Sequence, residues 1–294
     1  MFNIDFLGKA RIWTGLSILL VLVSIVLVFT RGMNSGIDFT GGTQIRIQLP
    51  EDPPISQVRD ALREIQIRDV DLSTSVIQDF RQLRGVKTIT MKLTDEEEVD
   101  RVVARLQEVL PGAEILERQV IGTKISQELA NRGWQAVALA LIVILVYVAW
   151  RFRLKYAVAA IAALIHDVAI AVGIFSAFQI EVNLPIIAAL LTIVGYSLND
   201  TIVIFDRVRE NEEAMRRASY FDVINRSINQ SLSRTIHTSL TTFIPVAVLF
   251  FFGGSVLKAF SLALLIGVVV GTYSSIYVAN PIIHTWTVRA AKAV

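Results

Sequence analysis

Residues 184–205 read Leu-Pro-Ile-Ile-Ala-Ala-Leu-Leu-Thr-Ile-Val-Gly-Tyr-Ser-Leu-Asn-Asp-Thr-Ile-Val-Ile-Phe. At ~1.5 Å per residue this run is long enough for the ~30 Å hydrocarbon core of a bilayer. Its one charge is Asp200, 15 residues after Pro185 and so roughly 22 Å along the helix. A charged group at the centre of a membrane helix costs ~2.5 to 3.5 kcal/mol on insertion scales. The stretch therefore reads as a membrane span that carries an expensive carboxylate, and it asks for a whole chain built in the same way.

The rest of the chain answers. Apolar runs at 12–29, 134–150, 154–178, 238–252 and 256–283 bring the expected number of spans to six. The run at 238–252 is short unless its helix begins near Arg234. Phe29-Thr30-Arg31-Gly32 is a poor signal-peptidase site, so the first run is expected to be retained as a helix. Only 18% of residues are charged and the mean hydropathy is +0.57, against about 25% charged in a soluble domain.

The net charge of +2 argues against a nucleic-acid partner, and its distribution says more. Residues 31–132 hold 14 basic and 17 acidic residues, leaving 14 and 9 for the membrane part. With an inside N-terminus, the cytoplasmic segments carry 13 Lys and Arg, whereas the short outer loops carry only Lys258. Both termini are thus expected to be cytoplasmic, with 31–132 on the outer face, the periplasm in a bacterium. The absence of cysteine excludes disulfides, thiolate metal sites and cysteine nucleophiles.

The expected organisation is 1–30, N-terminus and first helix; 31–132, outer domain; and 133–294, helices two to six with cytoplasmic loops. In the outer domain Ile45, Ile47 and Leu49 alternate with polar residues as in a strand. Ile55, Val58, Leu62 and Ile65 recur at helical spacing behind Pro53-Pro54. Strands are expected at 75–80, 86–93 and 113–120, with a turn at Arg84-Gly85. A capping box at Thr94-Asp95-Glu96-Glu97 opens a helix through Leu110. The order βαββαβ is that of an α+β ferredoxin-like sandwich. The domain contains no histidine, metal-spaced cluster or phosphate loop, so packing or protein binding is its expected role. Gly36, Asp38, Gly41 and Gly42 belong to a glycine-rich turn or hinge that leads into it.

Polar residues inside the spans are the candidate site. Arg234, His237, Thr238 and Thr241 follow i, i+3, i+4, i+7 spacing, a stripe that must face protein or water because lipid cannot satisfy it. Tyr196, Ser197, Asn199 and Thr201 surround Asp200, and the third span carries His166-Asp167. Asp200 and Arg234 are read either as a buried structural pair or as a proton switch. In the switch, Asp200 alternates between a protonated form and an ionised form paired to Arg234. His166 and Asp167 belong either to the same relay or to helix packing. Ala263, Gly267, Gly271, Ser275 and Ala279 recur every four residues as a tight-packing seam.

Taken together, Gly36-Ile37-Asp38-Phe39-Thr40-Gly41-Gly42, Gly195-Tyr196-Ser197-Leu198-Asn199-Asp200-Thr201, Phe205-Asp206-Arg207, Ser231-Leu232-Ser233-Arg234-Thr235 and Phe252-Gly253-Gly254 resemble the SecF family of bacterial protein-export membrane proteins. The resemblance covers essentially the whole chain. It implies an RND-type half-transporter in the cytoplasmic membrane that pairs with SecD to make twelve helices. It also implies association with the SecYEG channel and its accessory subunits, and use of the proton-motive force to move the translocating preprotein after SecA has acted. On this resemblance Asp200 and Arg234 are proton-pathway residues. The family's other pathway aspartate lies in the SecD half, so this chain alone is not expected to transport. No cofactor or metal is implied, and no enzymatic activity is expected. The other readings weighed are an RND-type exporter of lipids or small molecules, an uncoupled membrane scaffold, and an intramembrane aspartyl protease using Asp167 and Asp200. The His-Asp and Asn-Asp contexts do not resemble those of such proteases.

Overall fold

The computed structural model describes residues 3–65, 72, 75–79, 85–91 and 93–292. They form two compact units, one from Met1–Asn34 with Ala136–Val294 and one from Ser35–Gln135.

The first unit is helical, and six of its helices are long and apolar enough to cross a membrane. They are α1 (Ala10–Arg31), α5 (Thr123–Arg151, which starts in the other unit), α6 (Leu154–Phe178), α7 (Leu184–Ala214), α8 (Tyr220–Phe252) and a broken sixth. The sixth consists of α9 (Gly254–Ser274), a π-helical turn (Ser275–Ala279) and α10 (Asn280–Lys292). The helix boundaries have local causes. Asn183 caps α7 by accepting from the Ile186 amide at 3.3 Å, with Pro185 in the first turn, where its missing N–H costs nothing. Ser219 caps α8 through the Asp222 amide at 3.1 Å. Gln179 ends α6 in the left-handed conformation.

Two spans run further than their apolar stretches suggest. α7 continues nine residues past Phe205, and α8 begins 18 residues before Thr238, so Arg234 lies well inside a continuous helix. The turn between them closes a helical hairpin. Asn211 joins its stem by donating to Ser227 Oγ and Gln230 Oε1, both at 2.8 Å.

Burial separates the helices. α6, α7 and the sixth span form the centre, whereas α1, α5 and α8 leave most of their apolar surface uncovered. At one end of the bundle Tyr156 and Phe205 pack with ring centroids 5.0 Å apart. Beside them Lys155 Nζ donates to Glu212 Oε1 and Tyr220 Oη at 2.9 Å and to Thr287 Oγ1 at 3.3 Å, tying α6, α7, α8 and α10 together.

The second unit is a four-stranded antiparallel sheet of order β2-β3-β1-β4, with β1 Gly42–Gln48, β2 Val76–Asp79, β3 Val86–Met91 and β4 Glu114–Ile121. Before it comes a single helical turn, α2 (Ile37–Thr40); α3 (Ile55–Glu64) and α4 (Glu96–Val109) supply the two longer helices of the βαββαβ order. Ile45, Ile47, Val58, Leu62, Ile89, Val99, Val102 and Leu106 form its core. The helix cap differs from the expected one. Asp95 rather than Thr94 is the N-cap, its carboxylate accepting from the Glu97 and Glu98 amides. Aspartate caps at least as well as threonine, and one residue's shift places Glu98 at the third helical position. Phe80 and Arg84 of the expected strand and turn lie outside the described residues.

Candidate functional site

The polar groups of the helical unit gather around α7. Ser197, Asp200 and Thr201 fall on its buried face, each at most 2% exposed, because positions three and four apart share one side of a helix. Tyr196 is half-buried with its hydroxyl unpartnered, and Asn199 is exposed.

Two intramembrane carboxylates meet this face in different ways. Asp167, on α6, is fully buried and well satisfied. Its Oδ2 accepts from Ser197 Oγ at 2.5 Å and from Ser274 Oγ of α9 at 2.8 Å, and its Oδ1 meets His166 Nδ1 at 2.9 Å. His166 stacks on Tyr273, with centroids 6.0 Å apart. The Tyr273 hydroxyl in turn donates to the Trp13 carbonyl at 2.7 Å and accepts from Ser17 at 2.8 Å.

Asp200 is equally buried but poorly served. Thr238 Oγ1 of α8 stands 3.3 Å from Oδ1, and Oδ2 is buried without a hydrogen-bond partner. The threonine has one proton to give, and the carbonyls of Arg234 and Thr235 compete for it at 3.1 and 3.0 Å. Ser239, the next residue on α8, also acts on Asp200 and shares its hydroxyl with Thr272 Oγ1 at 2.6 Å, while Thr272 donates to the Val268 carbonyl at 2.7 Å. A buried carboxyl group that lacks donors is a costly arrangement for a charge.

Arg234 lies one turn before Thr238 on α8, within electrostatic reach of Asp200, yet no ion pair joins the two among the described residues. Its side chain is exposed on the bundle surface, as are His237 and Thr241. His237 Nδ1 donates to the Ser233 carbonyl at 2.5 Å, a bond local to α8. The structure therefore brings Asp200, Ser197, Thr201 and Thr238 together, with Asp167 and His166 behind them. It leaves Asn199 and His237 apart from the cluster.

Sequence reasoning missed Ser274, Ser239 and Thr272, whose hydroxyls complete the network. The signal available was the pairing of hydroxyl residues within otherwise apolar spans. The small-residue seam of α9 does pack closely: a Cβ on Gly267 would fall 2.1 Å from Ile193 Cγ1, and one on Gly271 would fall 2.9 Å from Ser197 Cβ. Its four-residue repeat runs on through the π-helical turn, where Ser275 and Ala279 are both fully buried.

In the second unit Gly36 and Ile37 are buried, Asp38 is half-buried, and Gly41 and Gly42 take positive φ values of 69° and 136°. The Met91 carbonyl comes within 2.5 Å of where a Gly42 Cβ would stand. No group of three or more His, Cys, Asp and Glu residues is placed to hold a metal ion among the described residues.

Residues 101–289 match the family model "Protein export membrane protein SecD/SecF, C-terminal", and residues 26–49 match the model "SecD/SecF GG Motif". The protein translocase subunit SecF of Desulfurispirillum indicum is 39% identical over 297 residues, covering 98% of this chain and 93% of that protein. The protein translocase subunit SecDF of Thermus thermophilus is 41% identical, with 97% of this chain covered but only 39% of that longer protein. The crystal structure of Thermus SecDF, described as a translocon-associated membrane protein, superposes with a TM-score of 0.90 at 40% identity, again spanning 98% of this chain and 39% of that one. A second SecDF structure, in a super-membrane-facing form, gives a TM-score of 0.72 at 38% identity.

Proposed function

Because this chain belongs to the SecD/SecF family of protein export membrane proteins, we propose that it works as the SecF half of the Sec translocase accessory complex, coupling the proton-motive force to export of secretory proteins. It is a multi-pass membrane protein with six spanning helices. The fused SecDF relative supports SecD as the partner that supplies the other half. SecYEG and the preprotein follow from the same reading, as do the inner-membrane location, the cytoplasmic termini and the periplasmic placement of 31–132.

The observation that carries the coupling reading is the hydrogen-bond inventory of Asp200. It is a buried carboxyl with one oxygen that lacks a hydrogen-bond partner and the other against a shared threonine donor, and Arg234 lies one helical turn from that threonine on α8. Such a group exchanges a proton according to how near the guanidinium approaches, and one charge crossing 100 mV yields ~2.3 kcal/mol.

The test is Asp200→Asn in the assembled complex in membrane vesicles. The variant should assemble with SecD and lose the proton-gradient stimulation of export. Full stimulation in an assembled Asp200→Asn complex would favour an uncoupled scaffold and reject this role. Arg234→Met should give the same loss.

A further inference from the structure

Asp167 is the better partnered of the two buried carboxylates. It is 0% exposed, and its carboxylate collects hydroxyl donors from two other helices, Ser197 of α7 and Ser274 of α9. The histidine beside it completes the shell at 2.9 Å. The groups that face this cluster are Ser197 from α7, Ser274 and Tyr273 from α9, and Ser17 from α1 through Tyr273; no Lys or Arg pairs with Asp167 among the described residues.

Ser197 is gripped on two sides. Asp167 accepts its proton, and the missing side chain of Gly271 lets the α9 backbone close on its Cβ. One turn beyond Gly271, Ser274 is the last residue before α9 changes to a π-helical turn, a local break often found at functional positions. Asp200 lies three residues past Ser197 on the same stiff helix, about 4.5 Å further along the axis. Whatever fixes the rotation of α7 at Ser197 therefore fixes the direction in which Asp200 points.

We infer that Asp167 is a positioning residue for Asp200: through Ser197 and Ser274 it clamps α7 between α6 and α9, so that the Asp200 carboxyl is held towards Thr238 of α8. Asp167 carries no transported ion in this arrangement. The inference rests on the proposed role of Asp200 and goes beyond it by assigning the second buried carboxylate a mechanical task.

The experiment compares Ser197→Ala, Asp167→Asn and Asp167→Glu with the unaltered chain, each assembled with SecD in vesicles. Assembly is read by copurification, and proton-gradient stimulation of export is read across pH. Ser197→Ala should assemble, lower the stimulated rate about tenfold, as the loss of one buried hydrogen bond implies, and move the pH midpoint by about one unit. Asp167→Glu should recover part of what Asp167→Asn loses. Adding Ser197→Ala to Asp200→Asn should lower the rate no further, because both act through one group.

An assembled Ser197→Ala complex with an unaltered rate and pH profile overturns the clamp, even if Asp167→Asn fails to assemble. An Asp167→Asn complex that assembles and loses proton dependence entirely, as Asp200→Asn should, also overturns it by placing Asp167 on the ion path. If instead Asp200→Asn keeps its stimulation, the reading of Asp200 itself has failed, and that result is separate from either outcome.

Discussion

Thr238 Oγ1 stands 3.3 Å from Asp200 Oδ1 and joins α8 to α7 at the buried carboxyl. Its proton is divided among three acceptors, so the link is loose by construction. The neighbouring carboxylate, Asp167, has the opposite character. Two buried acids within one bundle thus differ in the number of donors aimed at each.

Thr238→Val keeps the shape of the side chain and removes the proton. The stability of the chain should fall by only about 0.5–1.5 kcal/mol, since the donor is shared. Proton-dependent stimulation of export should change, while Thr238→Ser should retain it. Vesicle assays with the three forms, alongside thermal unfolding in detergent, separate the two effects.

Gly173 is the point where α1 lies on α6. A Cβ there would meet Ser24 Oγ at 2.2 Å and its Cα at 2.7 Å, so the backbone of α1 must retreat. Gly173→Ala should destabilise the chain by about 1–3 kcal/mol. Gly195 provides the contrast. Nothing lies within 4 Å of its added Cβ, so Gly195→Ala should leave stability unchanged or raise it by up to ~1 kcal/mol. Melting temperatures of the two variants of the isolated chain decide the point.

Lys87 is buried in the sheet domain, its ammonium 2.7 Å from Asp52 Oδ1 with only 1% of the side chain exposed. Asp52→Ala takes one carboxylate away from a buried cation and should cost about 1–3 kcal/mol. Lys87→Met should cost less, because it removes the charge together with its need for a partner. Denaturant unfolding of the full chain in detergent, followed by hydrogen exchange at β3, measures both.

Gly42→Ala places a methyl group against the Met91 carbonyl at a φ of 136°. Side chains rarely adopt that conformation, and the obstacle is backbone that cannot turn aside. A loss of more than about 2 kcal/mol is expected, visible as faster proteolysis between β1 and β3. An Ala variant as resistant as the native chain would contradict the strain.

Much of this fold is written in residue spacing. The alternation of Ile45, Ile47 and Leu49 gives β1, and the helical recurrence of Val58 and Leu62 gives α3, because period alone assigns the buried face. The spans follow from their missing charges. Helix ends were less legible: the charged continuation of α7 past Phe205 and the polar start of α8 are helical through hairpin contacts such as those of Asn211, which no local pattern announces. The burial of Lys87 was hidden in a strand that reads as half-polar. At the site, Asp200 was visible because a charge in an apolar run is conspicuous. Ser274 and Ser239 were not, since a hydroxyl costs little in a membrane helix and its partner lies on another helix.

The hairpin formed by the extended ends of α7 and α8 has a mechanical consequence. From Asp200 to the last residue of α7 is about 21 Å of unbroken helix, braced to its neighbour by Asn211, Ser227 and Gln230. A rigid rod of that reach is a lever with its fulcrum in the bundle. A tilt of roughly five degrees at the carboxyl would sweep the far end by about 2 Å, so a small displacement within the bundle is amplified at the opposite end of the same rod.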